Sequence, residues 1–507
     1  MHAFPIPIGA AGCALLGALA AAAAGCSSSD SLRSTEPPSV ADGPRIFESV
    51  KRITSFGVRL PDSPGSIGAA EYVRDQFSSF GLANVAIEQA DTVVWSAERF
   101  GLSIAGEAVP AYYMQHTFHE GVPARFSTGP DGLNAEIVYV GDGKPQDFED
   151  LDVRGKIVLS DVRFNRLSRS IVEQIALGIQ DTNETFVPGF ELVDPYSRNT
   201  FPANYYNALE RGAVGFVGVL VDYIDSHDYH NEAYSSYDPG GAMSIPGLWL
   251  APSTGAALKA RLHDAAAPLV ARLTLEGELA RAQGRNVVGY LPGTSDEIVL
   301  IESHHDSTTT GAVEDASGTS LVLALAQYFS RVPERERQRT LLFATMDTHF
   351  TDYASHEAFI TRHIEREKIV FNVTLEHIAH EVLQTPAGAQ KTGLLAPRGL
   401  FVSNEIEGVE QIALRAMERH QLERTVAFPT SLFGGAGLPA DCSDFYRAGL
   451  PVLALVGAPI YLYDSMDTLD KVPVDELGRV ARAFADVVSE LDALPSSAFR
   501  RLSYGPR

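Results

Sequence analysis

The sequence predicts an α/β chain in which a mostly parallel sheet is sandwiched by helices and interrupted by an inserted β-rich block. Three observations carry this expectation. First, beyond residue 285, apolar runs suited to buried strands ("EIVLIES", "TLLFATM", "IVFNVTL", "PVLALVG") alternate with stretches of helical periodicity ("SGTSLVLALAQYFSRV", "EGVEQIALRAMERHQL", "VDELGRVARAFADVVSELDAL"). Such alternation covers both faces of a parallel sheet with helices. Second, between residues 126 and 275 the strand-like runs are short, β-branched and separated by turn residues. Third, 507 residues exceed one ordinary core, which argues for two domains.

Taken in order, residues 1–26, "MHAFPIPIGAAGCALLGALAAAAAGC", are small and apolar and carry no Lys or Arg, which reads as an export signal. Its end, Ala23-Ala24-Gly25-Cys26, resembles a bacterial lipobox. Residues 1–25 are then a lipoprotein signal peptide, Cys26 bears the lipid, and the membrane is a partner through that anchor. The expected location is the bacterial cell envelope, facing the periplasm or the exterior. The polar, Pro-containing stretch 26–43 follows as a flexible tether. From Pro44, two helical segments flank a Gly/Pro/Ser loop, and "VAIEQA" reads as a strand. Residues 135–161 give two short strands, "NYYNALERGAVGFVGVLVD" a helix and a strand, and "SIPGLWLAPSTGAALKARL" a strand and a helix. Residues 162–201 look like an insertion without readable chemistry, and the patch "DSHDYHNEAY" reads as a polar loop with His227 and His230 solvated.

Composition narrows the function. A net charge of −24 argues against nucleic acid, whose binding needs clustered Lys and Arg. The cysteines are Cys13, Cys26 and Cys442, too few for a disulfide framework. The chain contains no G-x-S-x-G elbow, which removes a nucleophilic serine hydrolase from consideration.

In parallel sheets, ligands sit beyond the carboxyl ends of the strands. Those ends carry His304, His305 and Asp306, then Glu314 and Asp315; next Asp347 and His349; next Glu376, His377, His380 and Glu381; and last "YLYDSMDTLD". Imidazole and carboxylate suit a zinc-type cation, and a catalytic site needs three protein ligands and an open position. Asp315 has an equal alternative as the cap of the following helix. Asp347 and His349, two residues apart at a strand end, are expected to point the same way. His356 and Glu357 are expected to face outward or to cap the next helix.

"NVVGYLPG", "SHHDS", "GAVEDASG", "RTLLFATMD", "AGLPVLAL" and "DSMDTLDKV", with "GVRLPDSPGSIGAAEYVRDQF" upstream, together resemble the zinc aminopeptidase superfamily of leucyl aminopeptidases, glutamate carboxypeptidase II and the transferrin receptor. "VRGKIVL", "ALERGAVGFVGV" and "IPGLWL" resemble an inserted protease-associated domain. The resemblance implies a zinc-exopeptidase-like domain over 44–125 and 276–495, a protease-associated-like domain over 126–275 and a tail at 496–507. It further implies one or two zinc ions and a peptide or small amide substrate. Position by position, His304 matches the first zinc ligand and Asp306 the aspartate that supports it. Glu314 stands where the family has its bridging Asp, and Glu376 where it has a second Asp. His349 and Phe350 occupy the positions of a glutamate pair, general base first, and Tyr463 that of the final His. The base and two ligand positions are thus replaced. A rebuilt site would draw on Asp347 and His349 with His304 and Glu314 or Glu376, keeping His305, His377 and Tyr463 in reserve. The function implied is an exported, metallopeptidase-like hydrolase of peptide or amide bonds, with His349 and Asp306 as catalytic candidates. The alternative is an inactive homologue that acts as a binding or scaffold module.

Overall fold

Asp42 and Ser63 open the first two helices by local chemistry. Helix α1 (Gly43–Thr54) and helix α2 (Pro64–Phe80) each have Pro in the first turn, and the Asp42 carboxylate and Ser63 hydroxyl accept the amides of Arg45 and Ser66 at 3.1 Å. This satisfies N–H groups that have no partner inside a helix. Gly81 ends α2 in the left-handed region, where a side chain would be strained. The computed structural model describes residues 39–503 apart from 120, 122 and 233–241. The expected signal peptide, Cys26 and most of the tether lie outside the described residues.

The chain then enters a very long strand, β1 (Ala83–Ile104). The inserted block follows with β2 (Leu133–Tyr139), β3 (Ile157–Val162), β4 (Phe164–Ser168), β5 (Gly178–Gln180), β6 (Glu191–Arg198), helix α3 (Ala203–Glu210), β7 (Gly215–Leu220), β8 (Gly247–Leu250) and helix α4 (Pro252–Asp264). A second long strand, β9 (Val270–Leu291), returns along β1. Beyond it come β10 (Ile298–His304), α5 (Gly318–Phe329), β11 (Thr340–Met346), β12 (Ile369–Glu376), β13 (Arg398–Val402), α6 (Val409–Arg419), β14 (Thr425–Pro429), β15 (Val452–Gly457) and α7 (Val474–Asp492).

The centre of the sheet is parallel, in the order β11-β10-β12-β15. Antiparallel neighbours flank it: β9 pairs with β11, and β13 with β15. The expected α/β architecture is therefore present, and its four parallel strands end on the same rim. Helix α5 is buried on nearly every side, with Leu321, Val322 and Leu325 fully enclosed. Each such side chain contributes about 1.5–3 kcal/mol by leaving water. Residues 398–402 and 425–429 form strands that the sequence reading did not anticipate, the second ending at a proline.

Strands β2, β3, β7 and β8 form a parallel set within the insert. The antiparallel β1–β9 ribbon joins this set to the central sheet. The expected border at residues 275/276 falls inside β9. Residues 162–201 are not a bystander: β4 and β6 pair antiparallel, β5 adds to the edge of β14, and Leu192 and Val172 pack into the same apolar cluster as Phe428 and Phe445. Among the described residues, no helix is long and apolar enough to cross a membrane.

Candidate metal centre

Three histidines share one design. His304, the last residue of β10, has Nδ1 3.1 Å from Asp306 Oδ1. His349, in the loop after β11, has Nδ1 2.8 Å from Asp441 Oδ1. His377, directly after β12, has Nδ1 3.3 Å from the Gly457 carbonyl. An acceptor at Nδ1 keeps the proton there and leaves the Nε2 lone pair for a cation. All three Nε2 atoms meet one carboxylate: His304 at 3.3 Å and His349 at 3.5 Å from Glu314 Oε1, and His377 at 2.6 Å from Glu314 Oε2. The ring of His304 stacks on that of His349 with centroids 4.4 Å apart.

The loop carrying Glu314 is held by its backbone. Asp467 accepts the Val313 and Glu314 amides at 2.8 and 2.9 Å. Arg59, wholly buried, donates to the carbonyls of His305, Thr310 and Gly311 at 2.6, 2.7 and 3.0 Å. His377 is seated by close backbone approach, since a Cβ at Gly457 would stand 1.9 Å from the His377 carbonyl oxygen. Neither Arg59 nor Asp467 stood out as a site residue, though both lie within the motifs "GVRLPDS" and "SMDTLDKV".

A cation fits this arrangement. Donor atoms of His304, Glu314 and His349 lie within 4.8 Å of one another, as do those of His304, Asp315 and His377. A zinc ion needs imidazole nitrogen and carboxylate oxygen at about 2.0–2.2 Å. The competing explanation is a purely ionic cluster. Against it, His304 Nε2, both Glu314 oxygens and Asp441 Oδ2 are buried and make no aligned hydrogen bond. Buried polar atoms in that state are costly. Burial opposes charge on His304 and His349, yet Asp441 beside them overrides it and holds both pKa values well above the usual imidazole range. For Glu314, burial is outweighed by His377 and His304, and its pKa falls well below the ordinary value.

Other expected residues take different places. The structure corrects the expectation for Asp347. Thr348 has φ +69°, so the chain turns between Asp347 and His349 rather than continuing as a strand. The Asp347 carboxylate accepts from Ser66 Oγ at 3.0 Å and from the Arg285 and Thr348 amides at 2.9 and 2.8 Å, and it belongs to neither group of converging donor atoms. Asp315 is spent on structure: Oδ2 accepts from Ser303 at 2.6 Å, and Oδ1 from the Gly318 and His377 amides at 2.9 and 3.1 Å. Its alternative as a helix-start residue is the one its hydrogen bonds favour. Glu376 is buried against Asp441, whose amide it accepts at 3.1 Å. Burial and then Asp441 push its pKa well up. His305 turns to Thr345 Oγ at 3.0 Å, and burial depresses its pKa to about 3. His356 does not face outward: it is buried, stacked on Phe445, with its pKa lowered to about 4 by burial.

The two positions that the resemblance gives to metal ligands and this chain fills with aromatic residues carry rings that meet each other. Phe350, 1% exposed, packs edge to face against Tyr463 with centroids 5.9 Å apart. Asp306 Oδ2 accepts the Phe350 amide at 3.3 Å, tying this loop to His304. The Tyr463 hydroxyl donates to Glu232 Oε1, and Glu232 Oε1 lies 3.6 Å from His349 Nε2. Glu232 comes from the patch read as a solvated loop. In fact His230 is buried 2.9 Å from Asp228, and its amide donates to the Tyr463 carbonyl at 2.8 Å.

Besides Arg59 and Asp467, sequence reasoning missed Asp441 and Glu232. Asp441 has one local signal: it falls in a loop just before a short helix and the apolar run "PVLALVG". Glu232 has none, because it reaches the site through the insert. The centre opens on a cleft of about 580 Å³ whose lining includes His349, Glu376, His377, Asp441 and Tyr463 together with Asn165, Arg166 and Asp194.

Comparison with known proteins finds likenesses in sequence and fold. Residues 286–488 match the model of Peptidase family M28. An inactive zinc metalloprotease of Schizosaccharomyces pombe is 25% identical over 384 residues, which cover 66% of this chain and 46% of that protein. The chain spans less than half the length of the curated relatives it matches. Among solved structures, a Peptidase M28 precursor from Shewanella amazonensis aligns with a TM-score of 0.66 at 20% identity, covering 91% of this chain and 95% of that one. A zinc aminopeptidase from Bacillus subtilis aligns with a TM-score of 0.61 at 16% identity, covering 90% and 98%.

Proposed function

We propose, from the match of residues 286–488 to the model of Peptidase family M28 and the fold shared with solved structures, a member of the zinc-exopeptidase superfamily that hydrolyses peptide or amide bonds with one zinc ion. The observation that supports it is the convergence of His304, His349 and His377 on Glu314, each ring with its Nδ1 on an acceptor. His304, Glu314 and His349 would hold the ion. Bound there, zinc supplies a Lewis acid for a substrate carbonyl and an acidified water. The reading of one ion rather than two is supported by Phe350 and Tyr463, rings that stand where the resemblance places two metal ligands and that pack against each other.

The protein's own groups do the rest. Asp306 and Asp441 orient two imidazoles, and the cleft walls keep bulk water from the donor atoms. An adjoining apolar cavity of about 110 Å³ shares Leu167, Phe433 and Pro439 with the cleft, which suits one apolar side chain of a peptide. The test is elemental mass spectrometry of the untagged protein beside a His304→Ala, Glu314→Ala double variant. About one zinc per chain, lost in the variant, is expected. No bound metal after zinc is supplied overturns the reading.

A second reading is favoured by one observation, the buried Phe350 at a family glutamate position, and by the likeness to a relative named inactive. Under it the cleft binds a partner without chemistry. Zinc-free protein of undiminished stability would be its signature. We also propose export and lipid anchoring at Cys26. A Cys26→Ser variant that stays in the membrane fraction and takes up radiolabelled palmitate as the parent does would exclude that anchor.

A further inference from the structure

We propose that Glu232, contributed by the inserted block, takes the proton of the attacking water in place of the glutamate that His349 has displaced. The proposal rests on the one-zinc hydrolase reading and adds a residue to it. Its starting point is a substitution with two halves. His349 stands at the family's base position, but its Nε2 faces Glu314 and its Nδ1 faces Asp441 at 2.8 Å. A ring so engaged as a ligand has no lone pair left for a proton. A one-ion site nevertheless needs an acceptor within reach of the water it activates.

Glu232 meets that need by position. Its Oε1 lies 3.6 Å from His349 Nε2, the nitrogen that Glu314 Oε1 approaches to 3.5 Å, and the side chain lines the cleft. It is not part of either group of converging donor atoms, so it stands beside the ion's place and not in it. The other carboxyl on that wall, Glu376, is already engaged, with Oε1 accepting the Asp441 amide at 3.1 Å.

The approach to Glu232 is built with care. Asn231 Oδ1 accepts the Gln115 amide at 3.1 Å and Trp249 Nε1 at 3.0 Å, while its Nδ2 donates to the Gln115 and Glu232 carbonyls at 3.1 and 3.2 Å. The neighbouring His230 amide is bonded to the Tyr463 carbonyl, and the Tyr463 hydroxyl fixes Oε1. Tyr463, itself a replacement for a metal-binding histidine, is therefore a positioning residue for the relocated acceptor. In the step, the water oxygen forms a bond to the carbonyl carbon as its proton passes to Glu232. The C–N bond then breaks, and Glu232 returns the proton to the departing amine nitrogen, leaving a carboxylic acid and an amine, whose remaining exchange of a proton gives carboxylate and ammonium.

The test compares the full chain with Glu232→Gln and Glu232→Asp. It reads zinc affinity by chelator competition, kcat and KM on a panel of aminoacyl-coumarylamides, and affinity for 1-butylboronic acid. The tetrahedral boronate presents a hydroxyl where the attacking water would be, so it reads the acceptor without turnover. Expected for Glu232→Gln are zinc affinity within threefold of the parent and kcat down by about a hundredfold or more with KM little changed. The boronate should bind about tenfold more weakly, and Glu232→Asp should recover part of each loss. Loss of zinc by Glu232→Gln makes the residue a ligand and overturns the proposal. Unchanged kcat and boronate affinity also overturn it while leaving the hydrolase reading intact. A parent protein that binds no zinc overturns the hydrolase reading itself, and this proposal with it. If zinc binds and no substrate in the panel is cleaved, the boronate comparison decides.

Discussion

Replacing Arg59 by Met should loosen the loop that presents Glu314 without touching any donor atom. The guanidinium is fully enclosed and spans three carbonyls, those of His305, Thr310 and Gly311. Burial lowers its pKa to about 10, against the pull of Asp306, Asp467, Asp315 and Glu314, so it remains charged at neutral pH. A hydrogen bond to a charged group contributes about 1.5–3 kcal/mol, and a buried acceptor left bare costs about 1–3 kcal/mol. Methionine fills much of the space and donates nothing. Allowing for relaxation of the loop, the expected loss is about 4 kcal/mol of global stability. Zinc affinity should drop on the order of tenfold, because the same loop aims Glu314. Arg59→Lys keeps the charge but cannot reach three carbonyls at once, and about half the loss is expected. Urea unfolding followed by tryptophan fluorescence, with the slope unchanged, reads the first quantity. Chelator competition reads the second. A change below about 1 kcal/mol for Arg59→Met, the size of an average substitution, would refute the idea that this arginine holds the loop.

Zinc uptake should expel protons, because His304 and His349 are held in the charged form until an ion takes their lone pairs. Calorimetry in buffers of different ionisation enthalpy should show about one to two protons released per ion, and affinity rising from pH 6 to 8. Asp467→Ala strips the Val313 and Glu314 amides of their acceptor and should cost about 2–4 kcal/mol, with a loss of zinc affinity that Asp467→Asn only partly repairs. His363 lies 2.9 Å from Glu88 and 2.8 Å from Glu367. Burial alone would depress its pKa, but the two carboxylates raise it above the ordinary 6.5. A raised folded-state pKa stabilises fully below the unfolded value and is lost as pH climbs through the folded one. Stability should thus decline above pH 6.5 in the parent, and His363→Gln should flatten that decline.

The central sheet was legible because its strands are unbroken apolar runs between turn residues, a pattern only a sheet covered on both faces needs. His304 and Glu314 were legible for a different reason: they sit inside motifs at strand ends. What the sequence could not carry was direction. Asp347 and His349 look like partners on paper, and a single left-handed residue, Thr348, sends them to different places. Asp315 looks like a ligand, but its oxygens are taken by Ser303, Gly318 and His377. Glu232 and Asp441 are 209 residues apart in the chain, and their meeting at His349 depends on how the insert is mounted. That mounting was itself obscure, because β1 and β9 are half exposed along much of their length and carry too many polar residues to read as long strands.

The β1–β9 ribbon also sets how the cleft exchanges its contents. Each strand runs 22 residues, and the ladder between them is nearly continuous from the central sheet into the insert. A swinging lid would need a pivot there, and turning about it would shear a run of paired amides. Traffic through the cleft is then a matter of fixed aperture: molecules pass or fail by their girth and flexibility. Arrival rates should scale with concentration without the plateau that an opening step imposes, and a slender, extended chain end has an advantage over any folded protein surface.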